Sequence, residues 1–168
     1  MAKQAIREAG KKLGDALNRR NMVLENCTIY CSHRNLGEVV RLVGCHFPEW
    51  PAPSPSEAWS SLVVCGKSSS MRLTSKWFRE SGDDFCQLLL STCAFVEALP
   101  RTAAEVQKAV VTHIESCELV LGVVVQPGFD SDERYNAVVF AIAKALDGLV
   151  FNGREVLNAD GELMVESH

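Results

Sequence analysis

Leu119 to Val125 is the most constraining run in the chain: seven consecutive apolar residues, rich in valine and with no polar position. A solvated strand alternates apolar and polar residues, so this pattern marks a strand covered on both sides. Pro127-Gly128 ends it. The segments around it follow from local chemistry. Thr102-Ala103-Ala104-Glu105 has the form of a capping box, in which hydroxyl and carboxylate satisfy free amides at a helix start. Val106, Val110, His113, Ile114 and Cys117 then mark one face of that helix. A second helix is expected from about Ser131 to Leu146, with Tyr135, Val138, Val139, Ile142, Ala145 and Leu146 inward and Gly148 as its stop. Leu149-Val150-Phe151, the Asn152-Gly153 turn and Val156-Leu157 predict a hairpin, and Asp160-Gly161 predicts a further turn before Leu163-Met164-Val165.

The first hundred residues are less regular. Residues 2–20 carry Ile6, Ala9, Leu13, Ala16 and Leu17 at helical spacing. Six basic residues (Lys3, Arg7, Lys11, Lys12, Arg19, Arg20) against Glu8 and Asp15 give this arm a charge of +4. The formal net charge of the whole chain is −4, so the remainder carries −8. A strand is expected over Cys27–Ser32 and a helix over about Leu36–Val43, with Asn35 as N-cap and Val39, Val40 and Val43 inward. Four prolines at 48, 51, 53 and 55 remove backbone donors and favour extended chain, which predicts a stiff surface connector. Leu62–Cys65 reads as a short buried strand and Met71–Phe78 as a strand with partial alternation, joined by a Gly66–Ser70 turn, and Arg79–Asp84 reads as a polar loop. Phe85–Leu99 fits a buried helix capped by Asp83 or Asp84, while its second half, Ser91–Ala98, serves equally as a strand.

This order predicts an α+β two-layer sandwich, a mostly antiparallel sheet with helices on one face, for which ferredoxin-like is the nearest named architecture. The expected organisation is a basic amphipathic helix over residues 1–20 and a single α+β domain over 21–168, with the proline-rich connector at 48–55. A hydrophobic fraction of 47% excludes wholesale disorder. No apolar run approaches the roughly 18–20 residues needed to cross a bilayer, so neither a spanning segment nor membrane binding is expected. An isoelectric point near 5.6 argues against a general nucleic-acid binder. The first residues are charged and lack the apolar core of a secretion signal, and the seven cysteines are odd in number and scattered, which suits reduced thiols in the cytoplasm. The run from Thr102 through His113, Pro127 and Phe129 to Ala143-Lys144-Ala145-Leu146-Asp147-Gly148-Leu149-Val150-Phe151-Asn152 resembles an uncharacterised bacterial domain family of unknown function. The resemblance covers about the last 70 residues and rests on caps, turns and core positions. It implies a bacterial cytoplasmic α+β domain and transfers no activity.

Four groupings carry residue types suited to chemistry. Cys27, Cys31, His33, Cys45 and His46 are zinc-ligand types, but on a strand Cys27 and Cys31 stand about 13 Å apart, too far to share one ion. Val64-Cys65-Gly66-Lys67-Ser68-Ser69 matches the end of a phosphate-binding loop, yet Ser61 stands where that loop needs its first glycine, so a hairpin turn is expected. His113 with Cys117 one turn later allows a cysteine–histidine pair, without the local frame of a nucleophile elbow; His33, His46 and His168 are the other histidines. Asp130, Asp132 and Glu133 precede a helix, where carboxylates cap free amides. The Asn26-Cys27-Thr28 glycosylation pattern has no secretion signal before it. No catalytic, cofactor-binding or metal residue is assigned on this basis. The expected function is a non-enzymatic protein-interaction or regulatory domain, an immunity or toxin-neutralising protein being one concrete form. A small cysteine- or histidine-dependent enzyme, or a small-ligand or metal-binding module, is the alternative. The expected partner is another protein, and the exposed edges of short hairpins also allow a homodimer.

Overall fold

β1 (Cys27–Cys31) is made early in the chain and ends up in the middle of the sheet. The structure, a computed structural model, describes Leu24, residues 26–56 and residues 58–167. The arm expected over residues 2–20 and His168 lie outside the described residues. After β1 come α1 (Leu36–His46), β2 (Ser61–Cys65), β3 (Ser70–Lys76), α2 (Phe78–Glu97) and α3 (Ala104–Glu115). The chain continues through β4 (Leu119–Gln126), a 3-10 turn (Phe129–Ser131), α4 (Glu133–Ala145), β5 (Gly148–Phe151), β6 (Glu155–Leu157) and β7 (Leu163–Glu166). The strands form one sheet in the order β2-β3-β4-β1-β5-β6-β7, and every neighbouring pair is antiparallel. The α+β class with an antiparallel sheet is therefore as the sequence predicts. No helix among the described residues is long and apolar enough to cross a membrane.

Successive side chains on a strand point to opposite faces, and β1 shows what that does here. Cys27, Ile29 and Cys31 point to one face, where they join Met71, Leu73, Leu121 and Val123 beneath Val39, Val40 and Val43 of α1 and Val138, Val139 and Ile142 of α4. Tyr30 points to the other, where it meets Val120, Leu149 and Val156 beneath Phe85, Leu89, Cys93 and Val96 of α2 and Val110 and Ile114 of α3. Helices thus lie on both faces of the centre of the sheet, and not on the one face expected, because β1, β4 and β5 are apolar on both sides there. Each such side chain taken from water contributes about 1.5–3 kcal/mol.

Local chemistry places the helix ends. Asn35 accepts from the Glu38 amide at 3.0 Å and starts α1; Asp132 accepts from the Arg134 amide at 3.0 Å and starts α4. The ambiguous Phe85–Leu99 stretch is helical: α2 begins before it, at Phe78, and breaks at Gly82, whose φ of 50° only glycine adopts freely. The expected polar loop at Arg79–Asp84 is thus the first part of that broken helix. Thr102 does not cap α3, which starts one residue later behind Ala103 with no side-chain cap, so Glu105 falls short of the capping-box position. Gly148 is not the stop of α4 either. Asp147 takes the positive φ (48°), and Gly148 opens β5, where a Cβ would lie 3.0 Å from Ile29 Cγ2 and 3.2 Å from Ala143 Cα. The Gln107 side chain donates to the carbonyls of Val96 (3.1 Å) and Leu99 (2.6 Å), tying α3 to the end of α2.

Candidate interaction surface

The two helices on the Tyr30 side do not reach across the whole sheet. Leu62, Val64, Met71, Leu73, Val123 and Val125 are buried on the α1–α4 side, so the alternate residues of β2, β3 and β4 point the other way. The register aligns these in three rows across the strands: Ser61, Thr74 and Gly122; Val63, Arg72 and Val124; Cys65, Ser70 and Gln126. Six of the nine are polar or glycine, as on a solvated face. The middle row is different. Val63 is 46% exposed and Val124 42%, and they make up two of the three large exposed hydrophobic side chains among the described residues. Arg72 stands between them and is itself exposed. The Thr74 hydroxyl lies 2.6 Å from where a Cβ on Gly122 would stand, so the first row stays low only because residue 122 is glycine.

Charge on this patch is of one sign. Residues 61–76 contain Lys67, Arg72 and Lys76 and no carboxylate, and β4 has no charged residue. The chain as a whole is acidic, at −4. The outer edge of β2 is closed by the proline-rich segment expected to be a connector: the Trp50 indole N–H donates to the Val63 carbonyl at 3.0 Å. Trp59 donates to the Leu36 carbonyl at 3.2 Å, and the Pro55 carbonyl lies 2.5 Å from where a Cβ on Gly37 would be. These contacts pin the segment between α1 and the sheet edge.

The sequence-predicted groupings do not assemble. Cys27 and Cys31 share a face, as their spacing requires, but both are buried in the core, while His33 and Cys45 are exposed. His46 donates through Nδ1 to the Leu42 carbonyl at 2.9 Å, within its own helix. No group of three or more metal-ligand residues comes together among the described residues. Cys65–Ser69 is the β2–β3 turn, closed by the Gly66 amide donating to the Ser69 carbonyl at 2.7 Å. His113 donates through Nε2 to the Tyr30 carbonyl at 3.0 Å, which fixes the ring as a bracket between α3 and β1. Asp132 pairs with Arg134 at 2.7 Å, Arg134 also meets Glu49 at 3.0 Å, and its guanidinium lies 4.4 Å from the Phe47 ring centre. Asp130 and Glu133 are exposed and join no shared site. Asn26 accepts from the Val125 amide at 3.1 Å and so extends the sheet.

Electrostatics also weighs against a reactive thiol in the core. Burial pushes Cys27 up to about 12 and Cys117 up to about 12, the latter with help from Cys93. Burial raises Cys31 as well, with Cys117 and Asp147 adding to it. Cys93 is raised by burial and then by Glu115 and Glu97. Such thiols stay protonated at neutral pH, whereas a nucleophile needs the thiolate. Tyr30, pushed up to about 12 by burial, shares a hydrogen bond with Thr92. A cleft of about 490 Å³ lies beside the cis Gln126–Pro127 bond, lined in part by Leu24, Val125 and Phe129. Its polar members are Asn26, already bonded to Val125, and Asp130. No local pattern marks the Val63–Arg72–Val124 row, whose members lie on three strands and meet through register. The chain matches no protein-family model, no curated protein and no solved structure.

Proposed function

We propose that this chain is a non-enzymatic protein-interaction domain whose contact surface is the bare sheet face of β2, β3 and β4. The observation that carries the reading is the Val63–Arg72–Val124 row: apolar side chains exposed side by side across three paired strands. The buried, protonated core thiols and the structural bond made by His113 support this reading over a cysteine–histidine enzyme. An antagonist that neutralises a toxin by covering it is one form such a domain takes, since that task needs a surface and no reaction chemistry.

The test uses the exposed thiol of Cys65 at the corner of the face. In a Cys45→Ser/Cys86→Ser background a benzophenone maleimide is attached to Cys65, and the full chain is photolysed in lysate of its source organism. A partner cross-linked at Cys65, and lost in a folded Val63→Ser/Val124→Ser variant, supports the reading. A cross-link that survives that variant, or none at all, overturns it.

A further inference from the structure

We infer that the partner element seated on this face is an acidic amphipathic helix of another protein, an inference that rests on the interaction reading above. Three features of the molecule select it. The first is continuity of the helical layer. On this same side of the sheet α2 and α3 already cover Val120, Tyr30 and Leu149, and Val120 is the β4 neighbour of Lys76 in the β3 register. The bare rows begin where that cover ends. Strands stand about 4.8 Å apart, so three of them span roughly 10 Å, the width of one helix with its side chains, about 10–12 Å. One more helix beside the existing pair completes the layer.

The second feature is charge. Arg72 lies between the two exposed valines, Lys76 and Lys67 flank it, and neither the strands nor the turn supply a carboxylate to balance them. A helix with an apolar stripe bordered by Glu or Asp meets both needs: the stripe covers Val63 and Val124, and the carboxylates face Arg72 and Lys76. The chain's own arm over residues 2–20 carries +4, the same sign as this patch, and so does not supply the complementary charge. A second copy of the face fails in the same way, and pairing through the β2 edge is blocked where Trp50 holds the Val63 carbonyl.

The third feature is composition. The face has no aromatic residue among its nine positions. Single-stranded nucleic acids are held on sheet faces by stacking bases on aromatic rings, and a valine–arginine row offers none.

The experiment is an amide-shift titration of the isotope-labelled full chain with three synthetic helical peptides. They share one leucine stripe and differ only in flanking residues: Glu, Gln or Lys. The glutamate peptide is expected to shift the amides of β2, β3 and β4, with at least a tenfold weaker response from the lysine peptide. Its binding falls as salt rises from about 0.05 M to about 0.3 M, where the screening length shortens toward 6 Å. Arg72→Glu reverses the preference toward the lysine peptide. Equal responses to all three peptides, shifts outside the three strands, or a stronger response to an oligouridylate overturn the inference. The two readings fail separately. A Cys65-cross-linked partner that depends on Val63 and Val124 but is indifferent to Arg72→Glu and to salt keeps the interaction domain and removes the acidic helix. Loss of the valine dependence removes both.

Discussion

Two glycine-to-alanine substitutions should change stability in opposite directions. Gly44 sits inside α1 with nothing within 4 Å of the Cβ it would gain. Alanine there removes the entropy cost of an interior helical glycine, so Gly44→Ala should stabilise by about 0.5–1 kcal/mol. Gly148 opens β5, and the same methyl would stand 3.0 Å from Ile29 Cγ2 and 3.2 Å from the Ala143 backbone. Favourable carbon contacts lie near 3.5–4.0 Å, so both must give by several tenths of an ångström. Ile29 is fully buried and Ala143 belongs to the packed face of α4, so neither has free room. Overpacking of this kind costs about 1–3 kcal/mol, against a gain of about 0.4–1 kcal/mol from a stiffer unfolded chain. Gly148→Ala should therefore destabilise by roughly 1–2 kcal/mol. Urea unfolding followed by far-ultraviolet circular dichroism reads both, at unchanged slope. Midpoints that move in the same direction would refute the packing account of Gly148.

Other outcomes follow from the same structure. Tyr30→Phe leaves Thr92 with its bond to the Leu88 carbonyl and should cost about 1 kcal/mol in urea unfolding, with no effect expected if the Tyr30–Thr92 bond is absent. In native protein near pH 8, Cys45 and Cys65 should react with a thiol reagent well before Cys27, Cys31 and Cys117, whose labelling should require unfolding; mass spectrometry of partly labelled chain reads the order. Hydrogen bonding to Arg134 holds the Asp132 carboxyl below its ordinary value. Its contribution is thus present above the unfolded value of about 3.9 and lost as pH falls through the lower folded value. Asp132→Asn should flatten the acid limb of the stability curve below about pH 4, and parallel limbs in the two proteins would contradict this. Trp50→Phe frees the Val63 carbonyl at the β2 edge and should raise self-association in sedimentation velocity, while an unchanged monomer would show that another group guards that edge.

The fold was readable where one physical signal dominated. Alternation of Met71 with Leu73 announced the core face of β3, whereas the unbroken Leu62–Cys65 run promised a buried strand and Val63 is exposed; Asn152-Gly153 announced the β5–β6 turn, where the Asn152 side chain accepts from the Glu155 amide at 2.8 Å. The Leu119–Val125 run promised cover on both sides, and that holds at Val120 but not at Val124. How far a helix reaches across a sheet depends on where α2 and α3 cross it, and no local pattern encodes that. For the same reason the exposed row was invisible: Val63, Arg72 and Val124 lie on three strands and meet only through register. Trp50 looked like one more residue in a proline loop because its indole partner is 13 residues away. Thr102 failed as a cap because a capping box depends on the helix starting at one particular residue.

The position of β1 sets a timetable for the growing chain. It is complete at Cys31, yet its two sheet neighbours arrive only with β4 at Leu119 and β5 at Gly148. At roughly 5–20 residues per second of synthesis, the β4 partner follows β1 by some 4–18 s. During that interval the strand destined for the centre of the sheet offers two unpaired edges, and Ile29 and Tyr30 have no sheet to enter. The β2–β3 hairpin closes in the meantime, but β1 never pairs with it directly; β4 must slot between them. Ribosome-bound chains halted shortly before residue 119 are thus the species most open to mispairing and most in need of chaperone cover.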